Sequence, residues 1–263
     1  MAANCPTITS TMLTLKNNKI IKKISSFFLV SLFWIAVWWI CALLINDVYF
    51  LPSPKDTFLA LLGLLGKKSF YKVVFSSLIR VLIGLASGTV VGTLLAFACH
   101  RFKPIRSLVS PVISVIKAMP VATFILLILY TIRGYYLTVF IGFIMVMPII
   151  YQNVLSGLDA VSKELVEVCC VYGFNFVKKL RLLIFPSIKS YLFPAIITSI
   201  GLAFKSQIAA EIIAYTKNSI GQFIYDANYT GTNTDVVLAW AVVIVSFSIC
   251  LEAACKYLLG RIK

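Results

Sequence analysis

The sequence predicts an all-α integral membrane protein with about six transmembrane helices, and its bulk properties are the basis of that prediction. Hydrophobic residues make up 60% of the chain, and its mean hydropathy is +0.97. Soluble domains are about 45–50% apolar, so this chain has more apolar side chain than a water-exposed fold can bury. Its 263 residues accommodate about six spans of roughly 20 residues together with their loops.

Six apolar stretches mark the expected spans. They are residues 27–45, 76–99, 108–131, 135–153, 190–213 and 236–258. Each is expected to be helical, because a segment in lipid must satisfy its own backbone hydrogen bonds. The first stretch is longer than the apolar region of a signal peptide and lacks a cleavage site, so we interpret it as a retained span. Residues 1–26 are then a cytoplasmic N-terminal tail, and residues 27–263 are the transmembrane domain.

Glycines and prolines refine these expectations. Three glycines in the second stretch recur every four residues, which is typical of a face where another helix packs closely. They are Gly84, Gly88 and Gly92. Three prolines each predict a kink or the start of a helix. They are Pro111, Pro120 and Pro148. Between the first two spans, a short helix beginning at Asp56 or Thr57 is expected to lie along the outer interface.

The distribution of basic residues predicts the orientation. Fifteen Lys and Arg residues fall on the side of the two termini and of the loops at 100–106 and 156–189, against six on the opposite side. Cytoplasmic loops concentrate Lys and Arg, so both termini are expected in the cytoplasm. The net charge of +15 then follows from topology. Nucleic-acid binding is not expected, because the basic residues lack the interleaved aromatic side chains of a base-stacking surface.

Metal and disulfide chemistry have little support in the sequence. The seven cysteines form no C-x-x-C pair, and those inside apolar stretches behave as small hydrophobic residues. The single histidine, His100, lies in a basic loop and cannot form a metal site alone. No cofactor is therefore expected to bind to this chain.

The loop at 156–189 is longer than a tight helix–helix connection requires. Ser162 is expected to cap a short amphipathic helix, which Gly173 ends. A second apolar stripe at Val177, Leu180 and Ile184 predicts another short helix, and Pro186 is expected to end it. A helix, a glycine break and a helix together are typical of an exposed knob attached to a span. They fit an amphipathic loop that rests on lipid headgroups equally well.

The spacing of this loop resembles the EAA loop of ABC importer permeases. The matching positions are Glu167, Gly173, Leu183, Phe185 and Pro186. They follow the pattern Glu-Ala-Ala, three residues, Gly, nine residues, then Ile-x-Leu-Pro. Val168 and Cys169 replace the two alanines, and Leu183 and Phe185 replace Ile and Leu. These departures keep small or apolar character.

The resemblance extends over most of the chain. Further segments are similar to the nitrate/sulfonate/taurine-type branch of that family. They are residues 51–57, 76–92, 115–130 and 209–213, followed by the SIGQFIYDA and TDVV motifs. Because these motifs occur in the family's order, the chain is identified as a permease subunit with the type I ABC importer permease fold.

The resemblance implies a set of partners and a mechanism. Two permease subunits, as a homodimer or with a close relative, form the pathway in a prokaryotic plasma (inner) membrane, and an extracytoplasmic binding protein delivers the solute. Two ATPase subunits hold the EAA loops, whose movement alternates access across the membrane. The ATPase-coupling residues are Glu167, Gly173, Leu183 and Pro186. No G-x-x-x-x-G-K-[ST] motif occurs, so a partner chain uses the ATP and Mg²⁺, and this chain is not an enzyme.

Ionisable and polar residues inside the apolar stretches are candidates for the solute pathway, because charge in lipid is costly. The predicted pathway residues are Lys205, Gln207 and Glu211. Lys205 points about 120° away from Glu211 on a helix, so it needs a partner on another helix, on the second subunit or on a passing anion. A structural ion pair or an interaction with backbone carbonyls is the alternative for Lys205, and a gating or subunit contact is the alternative for Glu211. Arg80 lies early in its span and is expected to extend its head group toward the outer surface.

An integral membrane enzyme, such as a lipid-modifying transferase, is the main alternative from another functional class. Such chemistry uses clustered carboxylates with a metal–diphosphate, or a His or Cys nucleophile with a base. The chain has nine acidic residues, none in a D-D-x-x-D arrangement, and one histidine. A passive channel or an assembly scaffold leaves the EAA-like loop without a role. Among solutes, a sulfonate, taurine, nitrate or bicarbonate is expected, with a pyrimidine-type vitamin precursor as the alternative.

Overall fold

The computed structural model describes residues 29–45, 47, 49–229 and 234–261, and every regular element in them is a helix. The helices, in chain order, are α1 Leu29–Ile45, α2 Pro54–Leu65, α3 Lys68–Arg101, α4 Lys103–Ala118, α5 Val121–Leu129, α6 Gly134–Asp159, α7 Lys163–Val171, α8 Phe176–Lys179, a π-helical turn at Leu180–Ile184, α9 Phe185–Ile213, α10 Ile220–Tyr229 and α11 Thr234–Arg261. The predicted tail at 1–26 lies outside the described residues.

The described residues of each of the six predicted apolar stretches fall on a helix or a helix pair. Within the described part of the chain, four helices are long and apolar enough to cross a membrane, namely α3, α6, the continuous helix Val177–Ile213 and α11. The bent pair α4 and α5 brings the number to five if it is one span, and α1 is a shorter apolar helix. The prediction of an all-α membrane fold is confirmed, and the count of six is approximate.

The third stretch, 108–131, is not the single helix that was expected. The chain bends by 105° between α4 and α5, at Met119 and Pro120, whose backbones are extended. Proline cannot donate a helical hydrogen bond, and it disfavours helical geometry in the residue before it. Pro120 thus starts a helix, as predicted. Pro111 and Pro148 lie inside α4 and α6, which continue past them.

The core of the bundle forms where α3 and α6 pack against each other and against α9. The glycine row of α3 makes this contact possible. A Cβ on Gly92 would lie 2.7 Å from the carbonyl oxygen of Met147, and a Cβ on Gly88 would lie 3.0 Å from that of Phe143. The prediction that the glycines mark a packing face is confirmed.

Two sets of contacts define the two ends of the bundle. At one end, which we call the basic end, His100 Nδ1 of α3 lies 2.9 Å from Asp159 Oδ1 at the end of α6, and Arg106 of α4 pairs with the same carboxylate at 3.0 Å. At the other, which we call the distal end, the Arg80 guanidinium of α3 lies 5.3 Å from the ring centroid of Tyr135 at the start of α6. Helices α3 and α6 are therefore antiparallel.

The short helix α2 begins earlier than the sequence predicted. Its first residue is Pro54, and the Ser53 hydroxyl accepts a hydrogen bond from Asp56 N at 3.2 Å. Proline at the first helical position needs no donor partner, and serine is a favoured cap. The helix exists as expected, but Asp56 lies in its first turn.

The prediction that Pro186 ends the second helix of the 156–189 loop is wrong. The helix continues from Val177 to Ile213, and Pro186 lies in the first turn of α9 after the π-helical turn Leu180–Ile184. A π-turn widens the helix locally, which lets it accept a residue that lacks a backbone donor. The loop is therefore joined to its following span without a break.

Candidate functional site

Residues 160–184, which we call the 160–184 segment, present an exposed apolar surface at the basic end. Leu165 N donates to the Ser162 hydroxyl at 3.2 Å, so Ser162 caps α7 as predicted. After α7, Gly173 has a φ of +62°, a conformation that glycine adopts without strain. Val171 is 84% exposed and Tyr172 is 75% exposed. An apolar surface on a short, capped helix indicates that another protein or the membrane covers it.

The four predicted coupling residues lie on this segment or directly after it. Glu167 is exposed on α7 and has no hydrogen bond or ion pair with another described residue. Gly173 forms the turn between α7 and α8, and a Cβ there would have no neighbour within 4 Å. Leu183 is half-buried in the π-turn, and Pro186 is exposed at the start of α9. The carboxylate of Glu167 is thus available to a partner.

A cavity of about 1120 Å³ separates the segment from the bundle. Glu167 and Lys179 line it on the segment side, and His100, Arg101 and Asp159 line it on the side of α3 and α6. The segment therefore contacts the bundle mainly where its two ends join α6 and α9. Displacement of the segment would act directly on those two helices.

At the distal end, a buried polar network joins α3 to the end of α9. Arg80 Nη1 lies 3.0 Å from Glu211 Oε1, with side chains 5% and 1% exposed. The Ser77 hydroxyl donates to the same carboxylate at 2.8 Å, and Gly221 N donates to it at 3.1 Å. The expectation that Arg80 extends to the surface is wrong, because Glu211 supplies a buried partner that the head group prefers to the interface.

The same network holds the loop between α9 and α10. The second guanidinium nitrogen of Arg80 donates to the Lys217 carbonyl at 3.3 Å, and Ile220 N donates to the Ser77 hydroxyl at 3.0 Å. Two non-glycine residues of this loop, Tyr215 and Asn218, have positive φ values of 47° and 53°. Such conformations cost about 1–2 kcal/mol each, so the hydrogen bonds from Arg80 and Ser77 are needed to hold the loop in this shape.

Tyr215 also makes an exposed contact across this loop. Its hydroxyl donates to Asp226 Oδ1 of α10 at 2.8 Å. This hydrogen bond to a carboxylate raises the pKa of Tyr215 above its ordinary value. The phenol therefore stays protonated over the physiological pH range and keeps this bond.

The three predicted pathway residues divide into two groups. Gln207 and Glu211 are each 1% exposed. Gln207 Nε2 donates to the Arg80 carbonyl at 3.0 Å, in space left by Gly84 and Gly142. Both side chains thus hold protein groups inside the subunit. Lys205, in contrast, is exposed and has no hydrogen bond or ion pair with any described residue.

Sequence reasoning missed three polar residues in the spans, namely Ser77, Lys117 and Gln152. Ser77 was not singled out, although it lies three residues before Arg80 and so shares its helix face. Lys117 Nζ donates to Gln152 Oε1 at 2.6 Å, and both residues are exposed. The signal for Lys117 was its place in the otherwise apolar run VIKAMP. Charge in such a run is as costly for Lys117 as for Lys205, so Lys117 is equally a candidate for a functional contact.

The described residues offer no evident metal or cofactor site. No group of three or more His, Cys, Asp or Glu side chains comes together within 29–45, 47, 49–229 and 234–261. The carboxylate of Glu211 is already bonded to Arg80, Ser77 and Gly221.

Comparison with known proteins gives a family match. The family described as "Binding-protein-dependent transport system inner membrane component" matches residues 88–263, which is more than half of the chain. The matched range includes the α4–α5 bend, the 160–184 segment and the loop between α9 and α10.

Three curated relatives are permease proteins. The taurine transport system permease protein TauC of Escherichia coli (strain K12) is 22% identical over 241 residues, covering 87% of this chain and 85% of its own. The nitrate import permease protein NrtB of Synechocystis sp. (strain ATCC 27184 / PCC 6803 / Kazusa) is 25% identical, covering 63% and 60%. The bicarbonate transport system permease protein CmpB of Synechococcus elongatus (strain ATCC 33912 / PCC 7942 / FACHB-805) is 24% identical, covering 67% and 64%.

Solved structures share the fold. An inward-facing structure of the MetNI methionine ABC transporter matches with a TM-score of 0.63 at 16% identity, covering 73% of this chain and 95% of that one. A bacterial ABC transporter for the acidic polysaccharide alginate matches with a TM-score of 0.62 at 15% identity, covering 95% and 99%. The chain therefore belongs to the binding-protein-dependent transport system inner membrane component family, and it is a multi-pass permease subunit of an importer.

Proposed function

We propose that this permease carries a small anion into the cell and that its 160–184 segment is the surface on which the ATPase docks. The observation that carries the docking proposal is the exposed α7, whose Glu167 carboxylate has no partner among the described residues. A loop resting on lipid headgroups would not need such a carboxylate, since the inner leaflet is itself negatively charged.

The orientation follows from the docking proposal. The ATPase uses cytoplasmic ATP and Mg²⁺, so the basic end faces the cytoplasm and the distal end faces the binding protein. Both termini then lie in the cytoplasm, residues 27–263 form the transmembrane domain, and the membrane is the plasma (inner) membrane of a prokaryote. The excess of Lys and Arg around the basic end agrees with this orientation.

A homodimer is the simplest assembly that completes the pathway. Each copy contributes one 160–184 segment, so two ATPase subunits have two equivalent docking surfaces. When the ATPases close, each segment moves with its partner and displaces the ends of α6 and α9. Gly173 fixes the turn between α7 and α8, and Leu183 and Pro186 join the segment to α9. Rigid connection at both ends is what converts docking into movement of the spans.

The anionic solute is proposed from charge and from the relatives. Taurine, nitrate and bicarbonate, which the relatives' names specify, each carry an anionic oxygen group. Lys205 is exposed on α9, on the side of that helix that faces away from Gln207. A cation in this position, without a partner among the described residues of its own subunit, attracts an anion into the path.

The variant Glu167→Lys tests the docking proposal. We expect it to reduce copurification of the ATPase at least tenfold, or to leave hydrolysis that no longer drives uptake. An interfacial like-charge contact or an unpaired charge costs about 2–5 kcal/mol, which corresponds to such a loss. The measurement is ATPase stoichiometry and uptake per ATP in the reconstituted importer.

Asp226→Lys is the matched control. It makes the same change of charge at an exposed position of α10 at the distal end, so copurification of the ATPase should be unchanged. If the Glu167→Lys importer retains as much ATPase as the Asp226→Lys importer does, the carboxylate is not part of the docking surface.

A further inference from the structure

Lys117 is a charged side chain in the last turn of α4, directly before the 105° bend. Its ammonium donates to Gln152 Oε1 at 2.6 Å. Gln152 lies seven residues before the end of α6, about 10 Å along the axis, which is inside a hydrocarbon core of about 30 Å. A charge at this depth rarely faces lipid, so this side of α4 faces water or protein.

The rest of α4 supports the same orientation. Three serines continue the face of Lys117 at helical spacing toward the basic end. They are Ser107, Ser110 and Ser114, and all three are exposed. Only Ile113 of α4 is fully buried in the subunit. The helix therefore presents a continuous polar face outside its own subunit, leading from the basic end to the bend.

An acidic group of a second copy does not explain Lys117. The described spanning helices contain four acidic side chains. Glu211 is buried with Arg80, Asp159 pairs with Arg106 at the basic end, and Glu252 bonds to Lys256 at 2.7 Å. The fourth, Asp235, lies in the first turn of α11, at the distal end. None is an exposed, unbonded carboxylate at the depth of Lys117.

Lys117 and Lys205 border one hydrophobic cluster. Ile116, next to Lys117, and Leu202, one turn before Lys205, both pack against the cluster that α5 and α6 form around Ile125. Both cations are exposed at its edge. An ammonium has three donors, and Gln152 takes one of those of Lys117. Two exposed cations without a neighbouring exposed carboxylate make a region of positive potential.

We propose that Lys117, positioned by Gln152, contacts the anion on the half of the pathway nearer the basic end. This inference rests on the proposed function, because it places a second cation on the same anion path as Lys205. Lys205 meets the solute first, from the distal end, and Lys117 meets it beyond the bend. Gln152 holds the ammonium on the polar face of α4 and keeps it from the lipid.

Thiol labelling in the assembled importer tests this inference. Ser114→Cys is introduced into a chain whose seven native cysteines are replaced by alanine, and the complex with its ATPase is placed in nanodiscs. The probes are two methanethiosulfonate reagents of similar size, one with a sulfonate tail and one with a trimethylammonium tail. We expect Ser114→Cys to react, and the anionic-to-cationic rate ratio to fall about tenfold when Lys117→Gln is added.

Two controls make the result specific. Lys117→Arg keeps the charge and should keep the rate ratio, which separates loss of charge from loss of folding. Val112→Cys is exposed on the opposite side of α4, and its labelling should not depend on Lys117. The amount of ATPase that copurifies with each variant tests the docking proposal separately.

Two results would overturn the inference. If Ser114→Cys does not react with either reagent while the ATPase is bound, the polar face of α4 is not in a water-filled path. If it reacts but the rate ratio is the same with Lys117→Gln, Lys117 does not attract anions. Neither result bears on docking at Glu167, which the copurification experiment tests by itself.

Discussion

The two ends of this permease handle polar groups in opposite ways. At the distal end, Arg80, Ser77 and Glu211 are buried and bonded to one another and to the backbone of the next loop. At the basic end, Glu167 is exposed with no partner among the described residues, on a short helix with exposed apolar side chains. The ionic contact of the distal network lies within one chain, whereas we propose that the 160–184 segment docks on a second protein.

This contrast separates stability from coupling. A buried ion pair must keep both partners, because a single charge left behind in the interior is costly. An exposed carboxylate costs the isolated chain almost nothing, and its effect appears only when a partner binds. Substitutions at the distal end should therefore destabilise the subunit, and substitutions in the segment should spare the fold and impair the complex.

The largest expected effect is that of Arg80→Met. It leaves the Glu211 carboxylate buried without its cation, which should destabilise the subunit by about 3–5 kcal/mol. Expression, and the melting temperature of the purified subunit in detergent, measure the loss. The double variant Arg80→Met/Glu211→Gln removes both charges and should recover much of the stability. Equal melting temperatures for the wild type and Arg80→Met would contradict the assignment of the network to stability.

A smaller loss of stability is expected at the glycine row. In Gly92→Ala, the new Cβ would lie 2.7 Å from the carbonyl oxygen of Met147. Backbone cannot yield as a flexible side chain does, so α3 and α6 must separate, at a cost of about 1–3 kcal/mol. Gly201→Ala is the matched control, because a Cβ there has no neighbour within 4 Å. A drop in melting temperature that is equal in the two variants would contradict close packing at Gly92.

The sequence predicted the parts of the fold that depend on short-range patterns. Apolar stretches located the spans, the glycine row located the α3–α6 contact, and Ser162 and Gly173 bounded α7. These succeeded because a span, a cap and a turn each depend on residues close together in the chain. The bend at Pro120 was foreseen only as a kink or helix start, since its 105° angle depends on what α5 packs against.

Long-range pairing could not be predicted in the same way. Arg80 and Glu211 are 131 residues apart, and no local pattern links them, so Arg80 was expected at the surface and Glu211 in the pathway. The expectation that Pro186 ends a helix was wrong for a related reason. The π-helical turn of five residues directly before it lets the helix continue through the proline. The EAA-like spacing drew attention to the 160–184 segment because its matching positions lie close together in the chain, and their role in docking stays a prediction.

The smallest effect on stability, and the one that best sharpens the comparison, is expected at Gly173. Gly173→Ala forces a non-glycine residue into a φ of +62°, which costs about 1–2 kcal/mol. Its Cβ would meet no other atom within 4 Å, and the strain falls on an exposed turn that can relax locally. The melting temperature should therefore change little, while relaxation of the turn tilts α7 away from its docking geometry.

Gly134→Ala is the matched control. It carries the same strain, at a φ of +60° and also without neighbours, but at the distal end. Solute imported per ATP hydrolysed should fall in Gly173→Ala and stay unchanged in Gly134→Ala. If the two variants lose coupling equally, strain anywhere in the chain impairs transport, and the 160–184 segment has no special part in it.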